Sequence, residues 1–217
     1  YANFVISQYE YEKRRSGGYP FVVVEQHLDM DFDPDAGGTL DLGMISPAEG
    51  GTLVVIDLKT GRTPVRAFDP ETNQFNTQLG LYALYFYKAY EGMHPIKKVR
   101  LVIYQPVIAN TNEYEMDIED LLAFEKDVLI PAVERANSCH PEAVPNHYCK
   151  FCPGKALCSK RKEENLQIIR DLSKKANLLS NAEIADLLPK MDDLIQYAED
   201  VKEYALKRAV SGYKWPH

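Results

Sequence analysis

Hydrophobic and polar positions follow two different periods along this chain. Residues 1–15 place Tyr1, Phe4, Val5 and Tyr9 at helical spacing, and Ser16-Gly17-Gly18 closes that helix. FVVVEQHLDM (21–30) starts β-branched and then alternates, which predicts a strand. Pro34, Gly37 and Gly38 mark a turn, and TLDLGMI (39–45) predicts a second strand. Pro47 and Gly50-Gly51 form a hairpin-like connection to TLVVIDL (52–58), the strongest strand pattern in the chain. Gly61 and Pro64 interrupt it, and VRAF beyond them reads as an edge strand. From Asn73 to Tyr90 the period becomes helical, with Leu79, Tyr82, Ala83, Phe86 and Tyr90 on one face. KVRLVIYQ (98–105) is a further central strand, ended by Pro106. A helix follows from Ile118 to about Asn137, N-capped by Asp117 and kinked at Pro131. Two closing helices are expected. One starts after Ser180, whose partner Glu183 makes a capping box; the other runs from about Pro189 to Ser211, with Gly212 at its C-terminal glycine position.

This order predicts an α/β fold, a mixed sheet with helices on its faces. The expected division is a core over 1–137, a Cys-rich segment over 138–165 and a helical region over 166–217. The first residues open in mid-helix, so the core is expected to be incomplete at its N-terminus. At 217 residues the chain suits one full core with a small satellite. With 45% apolar and 26% charged residues, disorder is excluded as the overall state. No apolar run reaches the roughly 18 residues of a membrane span. The net charge of −7 excludes a broadly basic nucleic-acid binder. It does not exclude a nuclease, because metal-binding carboxylates are themselves negative. The charge is also uneven: Ala143 to Lys162 holds five Lys or Arg and no acid.

Cysteine placement sharpens the picture. Cys149, Cys152 and Cys158 form a C-x2-C-x5-C run amid Pro and Gly, and Cys139 lies ten positions before it. Thiolates at this spacing can share one metal or cluster. Disulfides and unligated core cysteines are the alternatives.

A second constellation lies in the strands. Asp57 and Lys59 end the strongest strand and, at period two, point the same way. Asp41 lies on the preceding strand. Two carboxylates and the Leu58 carbonyl suit a hard divalent cation, magnesium or manganese. Lys59 can then act on an attacking water and on charge developing at a phosphate. Glu25, a carboxylate in mid-strand, is a further candidate. Gln78 and Tyr82 stand four apart on one helix face, where an amide and a phenol can contact a phosphate or base. Tyr82 equally continues the aromatic stripe of the core. Lys150 and Lys155 in the basic stretch are candidate phosphate contacts.

In order, Gly38-x-x-Asp41, Asp57-x-Lys59, Gln78-x-x-x-Tyr82 and the cysteine run resemble the iron–sulfur-containing branch of the RecB-like PD-(D/E)XK nucleases. NTQLGLYALYFY, VIYQP, HYCKFCPGKALC and DLIQYAEDVKEYALKRAVSG further resemble a phage and prophage family of RecB-like proteins, across essentially the whole chain. The resemblance implies a restriction-endonuclease-like core and a Mg2+- or Mn2+-dependent deoxyribonuclease; a site-specific endonuclease needs base-reading elements, and since the sequence announces none, an exonuclease is expected. Its substrate would be phage or recombination DNA, single-stranded or with single-stranded ends, in the cytoplasm of a bacterial host beside phage recombination or replication proteins. It implies metal binding by Asp41 and Asp57, catalysis by Lys59, substrate positioning by Gln78 and Tyr82, and a [4Fe-4S] cluster on the cysteines, with Zn2+ as the alternative. Relatives carry a histidine on a helix before the first core strand, and this chain has none there; His27 falls within a strand. Relatives also draw one cluster cysteine from the N-terminal side of the core. The fourth ligand is therefore either Cys139 or a residue preceding this sequence. A DNA-binding or packaging accessory protein that retains the fold without catalysis is the competing expectation.

Overall fold

The computed structural model describes residues 1–173 and 179–216. The chain divides into two units, residues 1–139 and 140–217.

The first unit is a mixed sheet with helices on both faces. Helix α1 (Ala2–Ser16) is closed by Gly17 in the left-handed conformation, φ 66°. Strands β1 (Phe21–Asp29), β2 (Gly37–Ser46) and β3 (Thr52–Leu58) follow as antiparallel neighbours. Helix α2 (Thr77–Tyr90) crosses over to β6 (Lys98–Gln105), which lies parallel to β3. Strand β7 (Asn110–Asp117) returns antiparallel on the far edge, giving the order β1-β2-β3-β6-β7. Between β3 and α2, β4 (Phe68–Asp69) and β5 (Gln74–Phe75) make a separate two-stranded sheet. The expected edge strand VRAF is thereby reduced to its end. Pro64 donates no ladder bond, and the Val65 N–H is taken by the Gln105 side chain.

Alternation in β3 builds two core layers. Leu53 and Val55 pack with Leu79, Ala83, Leu84 and Phe86 of α2. Val54 and Ile56 pack with Leu42, Met44 and Val102 beneath Phe4, Val5 and Tyr9 of α1. A strand buried on both faces reads as a continuous apolar run, as TLVVI does. On the α1 side, Arg100, 4% exposed, donates to the wholly buried Glu12 at 3.2 Å and to Glu113 at 2.6 Å. That network ties α1 to β6 and β7.

The helix after β7 is interrupted. Helix α3 (Ile118–Phe124) and α4 (Ile130–Ala136) are joined by a π turn at Glu125–Leu129. Pro131 lacks an N–H, and the widened turn just before it accommodates the lost bond. Asp117 sits at the N-cap position, but its carboxylate pairs with Lys98 instead of capping.

In the second unit, α5 (Ser159–Ser173) follows the cysteine segment. The two expected closing helices are one, α6 (Asn181–Val210), which runs through Pro189. Ser180 and Glu183 form the expected capping box, and Gly212 takes φ 91° just past the helix. Asp200, 3% exposed, fixes this unit internally. It accepts from Arg161 at 2.6 Å and Gln196 at 3.1 Å, and Lys155 Nζ lies 2.8 Å away. Burial opposes the ionised form, but these donors prevail and hold the Asp200 carboxyl below the usual range. Among the described residues, no helix is long and apolar enough to cross a membrane.

Candidate active site at the ends of β1, β2 and β3

The sheet register brings three acidic residues into a row. Val24 pairs with Leu42 and Gln26 with Leu40, so Glu25 faces Asp41. The β2–β3 ladder ends at Leu42 with Ile56, so the next residues across that boundary are Asp41 and Asp57. Ladder pairing lapses at this row. Glu25 takes φ 50°, a left-handed conformation for a non-glycine residue inside a strand. Beyond it the facing of β1 shifts: Phe21 and Val23 turn inward before it, Gln26 and Leu28 after it. Such strain costs about 1–3 kcal/mol and collects at functional sites.

Lys59 lies on the α2 side of the row. Its Nζ is 2.8 Å from Asp57 Oδ2 and donates to Gln78 Oε1 at 2.7 Å. The Gln78 amide in turn donates to the Tyr82 hydroxyl at 3.2 Å. Asn76 caps α2 by accepting from the Gln78 and Leu79 N–H groups, which fixes the first turn that presents Gln78. Asp41 Oδ2 accepts from the Leu58 N–H at 2.7 Å, and the Lys59 N–H donates to the Tyr104 carbonyl at 2.9 Å. The structure thus brings together Asp41, Asp57, Lys59, Gln78 and Tyr82, with Glu25 in the same row.

Gly38 shows why this part of β2 is open. A methyl group there would stand 2.6 Å from Tyr82 Cε1 and 2.9 Å from its hydroxyl oxygen. Gly38→Ala is therefore expected to push the Tyr82 ring aside and break its bond with Gln78. Displacing a positioning group by about 1 Å costs up to roughly 100-fold in rate, and the added methyl costs about 1–3 kcal/mol of stability. Turnover measured beside a melting curve checks this; a parental rate would show that the Tyr82 position is immaterial.

Asp57 is 5% exposed, and burial pushes its carboxyl above the usual range, with Lys59 opposing and Asp41 adding to the shift. Its Oδ2 is ion-paired with the Lys59 ammonium at 2.8 Å and has no further donor among the described residues. A buried carboxylate oxygen left with free lone pairs beside a second carboxylate suits a hard divalent cation. By donor chemistry Asp41, Asp57 and the end of β3 fit magnesium or manganese.

Two residues of this site escaped the sequence reading. Burial and the charges of Asp41, Asp57 and Glu25 push the Tyr1 phenol up to about 12, which places it by the carboxylates. Tyr104 stacks on Phe4 with ring centroids 3.9 Å apart and on Tyr1 at 6.3 Å. Tyr1, the N-cap residue of α1, and Phe4 are three residues apart, a spacing that also reads as an ordinary apolar face.

The cysteine segment belongs to the second unit, while Cys139 closes the first. Cys149 Sγ accepts from the Asn146 N–H at 3.3 Å. Thiolate chemistry and spacing suit a cluster or zinc. Even so, among the described residues no three His, Cys, Asp or Glu side chains are gathered to hold a metal, either at the cysteines or at the acidic row, where Asp41 and Asp57 are the two candidate ligands. Within the basic stretch, Lys155 and Arg161 turn inward to Asp200, and Lys155 also donates to the Lys150 carbonyl at 3.1 Å. Lys150, Lys160 and Lys162 remain exposed. The charge offered to solvent is smaller than the sequence count, and Lys155 serves internal packing.

Comparison with known proteins adds three findings. A family model described as "Protein of unknown function (DUF2800)" matches residues 1–217. No curated protein matches the chain. Among solved structures, the crystal structure of SSO0001 aligns at 15% identity and a TM-score of 0.30, over 71% of this chain and 65% of that one. The chain therefore spans just under two thirds of that neighbour's length.

Proposed function

We propose that this chain, which belongs to the DUF2800 family, is a divalent-metal-dependent deoxyribonuclease that hydrolyses phosphodiester bonds at the row of Glu25, Asp41 and Asp57. The observation that carries the reading is Asp57 Oδ2, buried beside Asp41 and ion-paired with Lys59, with no further donor among the described residues. The resemblance to RecB-like nucleases supports the same assignment.

Asp41 and Asp57 would hold magnesium or manganese, which supplies Lewis-acid stabilisation of the phosphate and lowers the pKa of water. Asp41 is oriented for this by the Leu58 N–H. Lys59 places a fixed positive charge where negative charge develops, and Gln78 aims it from the opposite side. The Tyr82 hydroxyl accepts from Gln78 and keeps its own proton to donate to a phosphate oxygen. Phe4, Tyr104 and Tyr1 form an aromatic step next to the carboxylates, which favours unpaired bases that can stack. This supports single-stranded DNA or DNA ends over an intact duplex.

The test is single-turnover cleavage of labelled single- and double-stranded DNA in manganese, with a metal-free control. Metal-dependent cleavage is expected, faster on the single strand. If the protein binds metal and DNA yet leaves both intact, it is a non-catalytic DNA-binding protein.

For the cysteines the proposal is that Cys149, Cys152 and Cys158 ligate one iron–sulfur cluster. Protein purified without oxygen should be brown and contain iron, and chelation should melt the C-terminal unit first. Zinc without iron would replace the cluster by a zinc site, and neither metal would remove the shared centre.

A further inference from the structure

The segment leaving β3, residues 59–67, has no regular secondary structure, yet side-chain amides pin its backbone at almost every step. Gln105, with no exposed surface, donates to the carbonyls of Gly61 at 3.3 Å and Thr63 at 3.1 Å, and accepts from the Val65 N–H at 2.7 Å. Asn110 donates to the Val65 carbonyl at 2.9 Å, and Asn112 accepts from the Ala67 N–H at 2.7 Å. Asn76, already the cap of α2, donates to the Arg66 carbonyl at 3.3 Å. A loop of this kind is ordinarily mobile; here four amides from β6, β7 and the start of α2 fix it. It begins at Lys59 and runs past the carboxyl ends of the parallel pair β3 and β6, the position where ligands of open α/β sheets collect.

The fixed strap carries two cations. Arg62 and Arg66 are exposed, and among the described residues neither guanidinium has a hydrogen bond or a close ion pair. Asp69, the next acid along the chain, feels the charge of Arg66 but takes its hydrogen bonds from the Glu71 N–H and the Thr72 hydroxyl. By contrast Arg15 and Arg100 of the same unit are both paired with glutamates. On a chain of net charge −7, two exposed guanidiniums without hydrogen bonds, on a pinned backbone that starts at Lys59, are available to an anion outside the protein. A guanidinium presents a planar fork that matches two phosphate oxygens.

We infer that the strap of residues 60–66 is the strand-gripping element of the site: Arg62 and Arg66 bind successive phosphates of the DNA strand, and Asn110, with Gln105 and Asn76, is a positioning residue that holds the strap in place. This rests on the nuclease reading and adds the element that sets affinity and the path of the strand. Phosphate contacts carry no sequence preference, so the grip suits cleavage without a recognition site.

The experiment is equilibrium binding of a labelled single-stranded oligonucleotide in calcium, across a salt series, for the full chain and three variants. Arg62→Ala/Arg66→Ala should weaken binding about tenfold or more and flatten the plot of log affinity against log salt by about 1.4, from two phosphates lost. Its melting temperature should stay close to the parent's, since both side chains are exposed and make no hydrogen bond. Arg62→Lys/Arg66→Lys should recover most of the salt slope, because the charge remains. Asn110→Ala, which loosens the strap and leaves both arginines, should lower affinity with the slope nearly intact. If the alanine double variant binds like the parent with the parent's slope, the strap is a structural loop and this inference falls while the nuclease reading stands. If the parent itself does not bind DNA, both fall.

Discussion

Lys59→Ala is expected to lower single-turnover DNA cleavage by about 100-fold or more, roughly 2.7 kcal/mol of transition-state stabilisation, with DNA and metal affinity nearly unchanged. The ammonium is held from two sides, 2.8 Å from Asp57 Oδ2 and 2.7 Å from Gln78 Oε1. An ammonium fixed in this way needs little reorganisation when charge builds on the phosphate. Its attraction to that charge is largest in the transition state, so its removal lowers the rate rather than binding. Gln78→Ala should share part of this loss, because it frees the ammonium to pivot about Asp57. Single-turnover rates beside binding in calcium separate the two effects. A Lys59→Ala variant that cleaves at the parental rate would remove Lys59 from the chemistry.

The parts of the fold readable in the sequence are those in which one interaction dominates. TLVVIDL and KVRLVIYQ are strands buried on both faces, so their apolar runs are continuous. The α2 stripe packs on a single layer and keeps its helical period. Strand β7 went unread because NTNEYEMD is an edge strand in which only Met116 is fully buried and Asn110 and Asn112 are spent on the neighbouring strap. Helix α5 went unread because SKRKEENLQIIRDLS is dominated by charge. Pro189 read as a helix start, yet it removes a single backbone bond, and the capping box at Ser180 launches the helix through it.

The candidate site divides in the same way. Asp57 and Lys59 share a face by strand period alone, and Gln78 and Tyr82 by helix period, so both pairs were visible as patterns. Their meeting depends on where α2 packs, and the row of Glu25, Asp41 and Asp57 depends on hairpin register, which no local pattern encodes. The left-handed turn at Glu25 was equally hidden, since nothing about a glutamate announces positive φ. Tyr1 and Tyr104 carried no distinct signal, because stacking beside a site and packing in a core use the same residue types. The basic stretch erred in the opposite direction: adjacent charges suggested a surface, whereas Asp200, distant in sequence, draws Lys155 and Arg161 inward.

Asp57→Asn is expected to abolish cleavage and metal binding while making the metal-free protein more stable. Burial is the largest influence on this carboxyl and raises its pKa despite the nearby Lys59. For a carboxyl whose folded pKa lies above its unfolded value, folding favours the protonated form. Its stabilising contribution is therefore full below the unfolded pKa and is lost as pH rises through the folded one. At neutral pH the parent bears the whole cost of a buried negative charge, which Lys59 offsets only in part. Asparagine has no charge to desolvate, so the metal-free variant should melt higher than the parent at neutral pH. That advantage should shrink as pH falls through the folded pKa of Asp57, because the parent then becomes neutral as well. Manganese should reverse the order: it stabilises the parent by about 2.7 kcal/mol at a hundred times its dissociation constant and leaves the variant unmoved. Melting curves with and without manganese across a pH series read all of this from one pair of proteins. A variant that melts lower at neutral pH would show that the Asp57–Lys59 ion pair outweighs the burial cost. A variant that keeps the manganese shift would place the cation elsewhere.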